Sequence, residues 1–454
     1  MIPRSLLLAA AMVTSAATAA DPAVRLVTLD PGHFHASLVQ KFMYPQVSPV
    51  VHVYSTPGPD LEDHLQRIAG FNARAENPTH WDEKVYRGDD FMERLIAEKA
   101  GNVVVIAGNN ARKTEYIDRA VTAGFNVLAD KPMAINPADF VRLRQTFETA
   151  AAKGVLLYDI MTERSEVTTI LQRELAQVPA VFGSLEQGTE ADPAVEMVSV
   201  HHYFKEVAGK TLTRAPWFFD VLQQGEAVPD VGTHLADLVQ WEGFPGQTLD
   251  WRKDIQVTSA RRWPTSLTPE QFKRLTGLDS FPDYLKSSVG TGGNLEVFEN
   301  GEASYRLKGV CAKIRVVWNF APPAGAKDTH YSMLRGTKAL LRIKQSADEK
   351  WSPTLYVENR SGAPAAEFAA GLRAAVAKLA VTWPGIEVRE AGSAWALVIP
   401  EKYNIGHEAH FAQVTERYLK FLADGRLPEW EVPNMLAKYY TTTQAWALGH
   451  PGGK

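Results

Sequence analysis

Short apolar runs alternate with segments of helical periodicity over the first third of the chain. β-Branched runs predict strands at residues 24–29, 50–54, 103–107, 126–129 and 155–158, and helical patterns predict helices at 36–43, 111–123 and 137–153. The run at 103–107 is entirely apolar, as is typical of a parallel strand covered on both faces. Asn136 and Pro137 supply an N-cap and a first-turn proline for the last helix. This alternation predicts right-handed βαβ units in a doubly wound parallel sheet.

The pattern becomes strand-rich after Arg164. Residues 194–207 have an extended, partly alternating pattern, and residues 295–298 and 303–320 predict a hairpin with an Asn-Gly turn between them. These segments predict an α+β domain with a large, mostly antiparallel sheet that covers a substrate cleft. Residues 346–400 have the character of an insertion, with an alanine-rich helix from Ala365 to Ala380. The predicted division is a leader at 1–20, a first domain at 21–160 and a second at 161–454.

Residues 1–20 carry the pattern of a cleavable secretory signal peptide. Arg4 gives a short positive region, residues 5–13 are mainly apolar, and Ala17-Thr18-Ala19 fits a small-residue cleavage site. The apolar stretch is shorter than the ~20 residues that a membrane-spanning helix needs. No later segment has a membrane-spanning pattern. We expect an exported, periplasmic protein; the alternative is an ordinary buried N-terminal helix.

Composition limits the function classes only broadly. The 454 residues include 48 Lys and Arg against 52 Asp and Glu, which gives a formal charge of −4. This length suggests two or three domains, and the charge does not favour nucleic acid as a partner. The single cysteine, Cys311, excludes an intrachain disulfide and a multi-cysteine zinc site.

Two histidine clusters, His33-x-His35 and His407-Glu408-x-His410, place candidate metal ligands close together. Neither has the HExxH spacing that sets two histidines on one helical face against zinc. The glycine before His407 indicates that the second cluster begins a helix, with Glu408 near the positive end of its dipole. The sequence therefore predicts no metal site.

The loop after the first strand, DPGHFH at residues 30–35, lies where doubly wound sheets bind ligands. A GxGxxG fingerprint would let the backbone approach a pyrophosphate, but Asp30 occupies the first position and His35 the last, and only Gly32 is present. The acidic residue expected about 20 positions further on to bind the ribose is also missing, and Ser55 lies in its place. Alone, this loop indicates dinucleotide binding only weakly.

The segments after the third and fourth predicted strands add a stronger pattern. The strand at 103–107 runs into Gly108-Asn109-Asn110, and the strand at 126–129 runs into Asp130-Lys131-Pro132. At this spacing the sequence resembles the Gfo/Idh/MocA family of NAD(P)-dependent sugar oxidoreductases, in which a strand and a helix precede an (E/D)-K-P turn. The resemblance continues at residues 158–164, 229–237 and 335–341, and weakly at 408–422.

The resemblance implies a Rossmann-type dinucleotide-binding domain at 21–160 and identifies Lys131 with the family's active-site lysine. It implies NAD or NADP as cofactor, with the choice between them open. Export implies tight binding, because soluble dinucleotide pools belong to the cytoplasm. The expected cofactor contacts are Asp30, Gly32, His33, His35, Ser55, Asn109, Asn110, Asp130 and Lys131. Homo-oligomerisation is a further property that the family implies.

Asp230 and His234 belong to the segment that resembles the family's D-x-x-x-H active-site helix, and a spacing of four places them on one helical face. His234 suits the base because its ordinary pKa is near neutrality. Asp230 can orient the imidazole or hold a hydroxyl, and the resemblance implies that Lys131 polarises the reacting oxygen. Structural alternatives remain open: Asp230 as a helix cap, His234 as a satisfied core histidine and Lys131 as a solvated turn residue.

The second half also offers substrate-binding candidates. Strand alternation places His201 and Tyr203 on one face, where they can bind sugar hydroxyls, and His202 on the other. Trp217 can stack on a sugar ring, although core packing is the commoner use of an aromatic residue. Arg164, at the end of a matching segment, completes the expected substrate contacts.

The main functional hypothesis is an exported oxidoreductase that transfers hydride between a carbohydrate or polyol hydroxyl and a bound nicotinamide. One alternative is a glycoside hydrolase or lyase on the same scaffold. Such an enzyme oxidises a ring hydroxyl transiently, eliminates the aglycone and then returns the hydride. Another is a non-catalytic sugar-binding protein, which the incomplete glycine loop favours and the residues Lys131, Asp230 and His234 oppose.

Overall fold

The structure, a computed structural model, describes residues 23–207, 210–323 and 325–450, so the predicted signal peptide lies outside the described residues. Within these ranges the first domain contains a six-stranded parallel sheet of order β3-β2-β1-β4-β5-β6. Its strands are β1 (Leu26–Leu29), β2 (Val50–Ser55), β3 (Asp82–Arg87), β4 (Val103–Ile106), β5 (Asn126–Asp130) and β6 (Leu157–Ile160). All residues of β1, β4 and β6 are buried, whereas the edge strand β3 has none buried. The predicted doubly wound parallel sheet is confirmed.

The helices that cover this sheet are α1 (His35–Leu38), α2 (Pro59–Ala73), α3 (Phe91–Glu98), α4 (Lys113–Thr122) and α5 (Pro137–Lys153). The side chain of Asn136 accepts a hydrogen bond from the Asp139 N–H, which confirms the predicted cap of α5. The prediction of a helix at 36–43 is wrong in length. After Leu38 the backbone hydrogen bonds join residues three apart instead of four, as in the bond from Gln40 N–H to Ser37 O. Pro45, which has no N–H to donate, follows soon afterwards.

A nine-stranded sheet of order β10-β11-β12-β7-β13-β14-β15-β17-β16 forms the second domain in the described residues. Its strands are β7 (Val195–His202), β10 (Ile255–Leu267), β11 (Leu295–Leu307), β12 (Val310–Asn319), β13 (Thr329–Arg335), β14 (Ala339–Lys344), β15 (Thr354–Asn359), β16 (Glu387–Ala391) and β17 (Ala394–Val398); β8 (Glu206–Val207) and β9 (Lys210–Thr211) pair separately. Only the β12–β7 pair is parallel among these described pairs. The mostly antiparallel sheet is therefore confirmed.

The predicted Asn300-Gly301 turn is wrong. Both residues lie inside β11, where they pair with Trp263 and Arg262 of β10. Asn300 bonds to the backbone N–H of Trp318 and to Thr265, so its amide joins three neighbouring strands. The actual turn lies between β11 and β12, where Gly309 and the residue before it both have positive φ. An Asn-Gly pair favours a turn, but here the neighbouring strands bond the asparagine more completely.

Helices of the second half are α6 (Val167–Ala176), α7 (Val221–Gln224), α8 (Gly232–Gly243), α9 (Pro269–Thr276), α10 (Ala365–Leu379), α11 (His407–Asp424) and α12 (Glu431–Gly449), with short 3-10 turns at Thr162–Ser165, Pro216–Phe219, Asp283–Ser288 and Glu401–Tyr403. The predicted alanine-rich helix and the helix that begins at His407 are both confirmed. No helix in the described ranges has the length and apolarity to cross a bilayer.

The two C-terminal helices return to the first domain. Phe411, Val414 and Tyr418 of α11, together with Met435 and Tyr439 of α12, are part of the same hydrophobic core as the parallel sheet. The Tyr418 hydroxyl also donates to the carbonyl of Leu156, just before β6. The last helices therefore join the two domains and fix the cleft between them.

Candidate active site

Lys131 and Asp230 meet at the carboxyl edge of the parallel sheet. Lys131 follows β5 and Asp230 precedes α8, and their Nζ and Oδ1 atoms are 2.6 Å apart. The other carboxylate oxygen of Asp230 accepts from Gln224 Nε2 at 2.9 Å. Burial lowers the pKa of Lys131, but the carboxylates of Asp230 and Asp130 offset this and the net shift is upward. The ammonium of Lys131 is therefore charged.

The contacts of these residues exclude two of the structural alternatives. Asp230 does not cap α8, because the N-cap residue is Val231 and it makes no side-chain capping bond. Lys131 is not a solvated turn residue, since its side chain is only 11% exposed.

His234 lies one turn into α8, half-buried beside this pair. Its Nδ1 has no hydrogen-bond partner in the described structure, so it is not a satisfied core histidine. Burial, and then the charge of Lys131, lowers the pKa of His234 well below its usual value. A neutral imidazole with a free nitrogen can accept a proton. Asp230 does not orient it, because Lys131 and Gln224 occupy both carboxylate oxygens.

The first loop brings His33 and His35 to Asp130, at the end of β5. His35 Nδ1 lies 3.0 Å from Asp130 Oδ2, and His33 Nδ1 lies 3.7 Å from the same atom. The two imidazole rings pack edge to face with their centroids 4.0 Å apart. The buried His33 Nδ1 has no hydrogen-bond partner among the described residues. These three predicted cofactor contacts therefore form one compact polar group.

Strand β7 ends at the same cleft. His201 and His202 both contact Asp328, at 3.0 and 3.1 Å, and Lys205 pairs with it as well. Both histidines therefore reach one carboxylate at the end of β7. Burial raises the pKa of Asp328, but the bond from His201 and the charge of Lys205 bring it below its usual value.

Tyr203 and Trp318 form a wall behind this group. Tyr203 is fully buried and stacks on Trp318 with ring centroids 5.0 Å apart, and His201 stacks on the same indole at 4.8 Å. Glu299 is buried nearby with both carboxylate oxygens unpartnered among the described residues. Burial, and then the charge of Asp230, raises its pKa well above the usual value. Tyr203 thus packs in the core, whereas His201 stays partly exposed.

The first loop is filled by protein groups near Gly32. Trp217 Nε1 donates to Asp60 Oδ2 at 2.8 Å. A Cβ atom on Gly32 would lie 3.3 Å from that oxygen and 3.4 Å from the Trp217 ring. Asp30 has a positive φ and its carboxylate accepts from Ser55 and Tyr116. Trp217 therefore packs on the predicted phosphate loop instead of facing the Lys131 cleft.

Asn109 and Asn110 bond across the domains to α7. The Asn109 side-chain amide donates to Gln223 Oε1 at 2.7 Å, and that of Asn110 donates to the carbonyl of Gln224 at 2.6 Å. The backbone N–H of Asn110 also bonds to Gln223. These two predicted cofactor contacts hold α7, which in turn positions Gln224 against Asp230.

Arg164 lies in a buried ion network rather than in the cleft. Its guanidinium bonds to both oxygens of Asp237 at 2.6 and 2.7 Å and to both oxygens of Glu431 at 3.0 and 3.1 Å. Lys438 bridges Asp237 to Asp159 at 2.8 and 2.7 Å. Arg164, with a 4% exposed side chain, is bound by these carboxylates and holds α8 and α12 to the end of β6.

Sequence reasoning did not identify Gln224, Glu299, Asp60 or Asp328. Glu299 carries a readable signal, because it is an acidic residue at a buried position of β11. Asp328 lies in a loop and Gln224 in the four-residue helix α7, where no periodicity indicates which way a side chain points. Asp60 lies in the first turn of α2, a helix that the sequence pattern did not predict.

Comparison with known families agrees with this architecture. Residues 32–158 match the profile described as "Oxidoreductase family, NAD-binding Rossmann fold", of Gfo/Idh/MocA, and residues 171–450 match "Putative oxidoreductase C terminal domain". A crystal structure described as a "putative oxidoreductase" from Parabacteroides merdae shares 53% identity, covers 94% of this chain and 98% of its own, and superposes with a TM-score of 0.93. The chain belongs to the Gfo/Idh/MocA oxidoreductase family. No curated protein matches it detectably in sequence.

More distant structures share the fold alone. Levoglucosan dehydrogenase, in complex with NADH and levoglucosan, has a TM-score of 0.59 at 13% identity and covers 94% of this chain and 97% of its own. A 3-ketoreductase from Actinomadura kijaniata, in complex with NADP and TDP-benzene, has a TM-score of 0.54 at 14% identity, with 93% and 96% covered. Both share this arrangement of two domains.

The residues at the first loop do not fit a dinucleotide in the arrangement described. A pyrophosphate needs free N–H donors and an approach to the loop glycine. Here Trp217 packs on Gly32 and donates to Asp60, and the Asp30 carboxylate accepts from Ser55 and Tyr116. The family fold is that of an NAD-binding domain, yet this chain fills the phosphate loop with its own side chains.

Proposed function

We propose that this protein is an exported enzyme that acts on a hydroxyl-bearing carbon of a carbohydrate or polyol. The observation that carries the proposal is the contact between Lys131 and Asp230, 2.6 Å apart at the cleft between two domains of an oxidoreductase fold. The complex of levoglucosan dehydrogenase with its sugar supports the substrate class. The apolar stretch and cleavage pattern at residues 1–20 support export.

Lys131 binds and polarises the substrate oxygen. Asp230 keeps the ammonium charged, and Gln224 holds Asp230 through its second oxygen. As negative charge develops on the substrate oxygen, an ammonium already in place stabilises it without reorganisation. Asp230 is therefore a positioning residue for Lys131.

His234 receives the proton. It is neutral, half-buried and has an unpartnered Nδ1 among the described residues, so it accepts a hydroxyl or carbon-bound proton without first losing one. His201 is held at both ring nitrogens, by Ser199 and Asp328, and offers its ring face to a substrate instead of a free nitrogen.

The filled phosphate loop favours a second candidate, elimination on a carbohydrate that already carries a carbonyl group. A base takes the proton next to the carbonyl, a double bond forms, and the C–O bond at the adjacent carbon breaks as its oxygen takes a proton. This step needs no electron acceptor. Oxidation of a carbinol does need one, and the family's dinucleotide can approach Gly32 only if Trp217 moves away.

One experiment tests the proposal and separates the candidates. Purified protein is denatured and the released small molecules are identified by mass spectrometry. Folded protein is then screened against sugars, polyols, aryl glycosides and keto-glycosides, with and without added NAD or NADP. Turnover that requires a dinucleotide supports oxidoreduction, and turnover without one supports elimination.

Lys131→Ala is the companion variant, with Lys153→Ala, an exposed change at the end of α5, as its control. The proposal expects activity in wild type and Lys153→Ala and its loss in Lys131→Ala. Equal rates in all three proteins would overturn the assignment of Lys131.

A further inference from the structure

The fold places a carboxylate beside the two histidines of the first loop, which the sequence alone does not show. One nitrogen each of His33 and His35 and one oxygen of Asp130 lie within 4.8 Å of one another. The residues come from two loops 95 positions apart, since His35 and Asp130 differ by that number. The side chains of His35 and Asp130 are only 8% and 4% exposed, and that of His33 is 24% exposed.

The donor atoms of this group are compatible with metal coordination. Nδ1 of His33 is buried without a hydrogen-bond partner in the described structure, and it points toward Asp130 Oδ2 at 3.7 Å. His35 Nδ1 lies 3.0 Å from the same oxygen. Ligands at about 2.0–2.2 Å from one ion are separated from each other by roughly 3–4 Å, so small adjustments suffice.

The positive charges of Lys131 and Lys113 act on both imidazoles, and each ammonium has an oxygen partner that offsets part of its charge. Lys131, next in sequence to Asp130, is paired with Asp230, and the ammonium of Lys113 lies against the carbonyl of Lys131 at 3.3 Å. The cations in this region therefore each have an oxygen partner, while the carboxylate of Asp130 has only neutral imidazoles in contact.

We propose that His33, His35 and Asp130 bind one divalent first-row transition-metal ion. Two imidazoles and one carboxylate form a ligand set used for zinc and iron(II), and three protein ligands leave positions open for water or a substrate oxygen. The inference goes beyond the proposed function and does not depend on which carbohydrate is turned over.

Metal binding is measured on the full chain without any substrate. Chelator-treated protein is titrated with Zn²⁺ by calorimetry, dialysed and analysed for metal by mass spectrometry, and Co²⁺ is added separately to record its visible absorption. The variants are His33→Ala, His35→Ala and Asp130→Asn. His80→Ala, an exposed histidine away from the group, is the control.

We expect about one ion per chain in wild type and His80→Ala, and at least ~10-fold weaker binding in each ligand variant. The visible absorption of bound Co²⁺ is expected to change in His33→Ala. This variant is the least disruptive of the three, because the His33 side chain is partly exposed. Circular dichroism checks that every variant is folded. Wild type that retains less than about a tenth of an ion per chain, or variants that bind as well as wild type, would overturn the proposal. Because no substrate is present, this result is independent of the activity screen.

Discussion

The ion network around Arg164 and the cluster around Lys131 occupy the ends of neighbouring strands, β6 and β5, with the same types of residue. In the Arg164 network the guanidinium pairs with Asp237 and Glu431, and Lys438 pairs with Asp159 and shares Asp237. In the Lys131 cluster one ammonium meets one carboxylate, while His33 and His234 keep unpartnered nitrogens among the described residues. Cations that are saturated by protein groups hold elements together, whereas unpartnered polar atoms in a cleft are available to a ligand.

The largest loss of stability is expected when the ion network around Arg164 is broken. Asp237→Ala leaves Arg164 and Lys438 buried without a shared carboxylate, so the free energy of unfolding should fall by about 3–5 kcal/mol. Urea denaturation at neutral pH measures it. Asp192→Ala is the control, because Asp192 pairs with Arg335 at the surface and its side chain is 74% exposed; about 1 kcal/mol or less is expected there. Similar losses in both variants would contradict a special role for the network.

Removing the cluster's cation should affect rate more than stability. Lys131→Ala takes the charged donor from the substrate oxygen, and a loss of roughly 100-fold in kcat/KM is expected from the removal of one such group. Steady-state kinetics on the substrate found in the screen measure this, with urea denaturation alongside. A rate within about threefold of wild type, or a stability loss as large as that of Asp237→Ala, would break the contrast between the two regions.

Trp217→Ala tests whether Trp217, through its hydrogen bond to Asp60 and its packing on Gly32, keeps a dinucleotide out of the predicted phosphate loop. Its removal frees Gly32 and the Asp60 carboxylate, and we expect NAD or NADP to bind about 10-fold more tightly, which corresponds to about 1.4 kcal/mol. Calorimetry with both dinucleotides measures the change. Trp351→Ala, in the 346–400 insertion, is the control. Tight binding by wild type would show that the tryptophan is no obstacle.

The smallest change in stability is expected at Glu242, a buried acidic residue whose carboxylate has no hydrogen-bond partner among the described residues. Glu242 is fully buried, neither of its oxygens has a hydrogen-bond partner in the described structure, and burial raises its pKa well above the usual value. The folded protein keeps the proton that the unfolded chain releases, so stability falls as the pH rises above the unfolded pKa of about 4.3. Above that pH, the free energy of unfolding of wild type should fall more steeply with rising pH than that of Glu242→Gln. Parallel pH profiles in denaturation would contradict this.

The sequence predicts much of the framework because burial leaves a pattern. The entirely apolar run at 103–107 corresponds to β4, and the alanine-rich run after Pro364 corresponds to α10. The elements α2, β3 and α3 were not predicted. β3 has no buried residue, so its sequence DEKVYR carries no apolar pattern. Edge strands are defined by backbone pairing with a neighbour, which single-sequence periodicity does not encode.

The predicted site residues also fall into two groups: those whose position the local sequence indicates and those whose position depends on contacts with distant residues. Lys131, Asp230 and His234 come together as the order of motifs indicates, because each is placed by its own strand end or helix start. Arg164 and Tyr203 are instead buried in a network and against an indole, and Trp217 packs on the loop at Gly32. Residue type names the chemistry available, but partners distant in sequence decide whether a side chain is left free to perform it.

By itself, the sequence determined the doubly wound sheet, the mostly antiparallel second sheet and the identity of the lysine, aspartate and histidine at the cleft. Hydrophobic period and motif spacing are local properties, and they are written directly in neighbouring residues. Only the tertiary structure brought Asp130 to His33 and His35, set Trp217 on Gly32 and saturated Arg164 with Asp237 and Glu431. These contacts join distant parts of the chain, and their geometry is fixed only once two sheets and the returning C-terminal helices pack together.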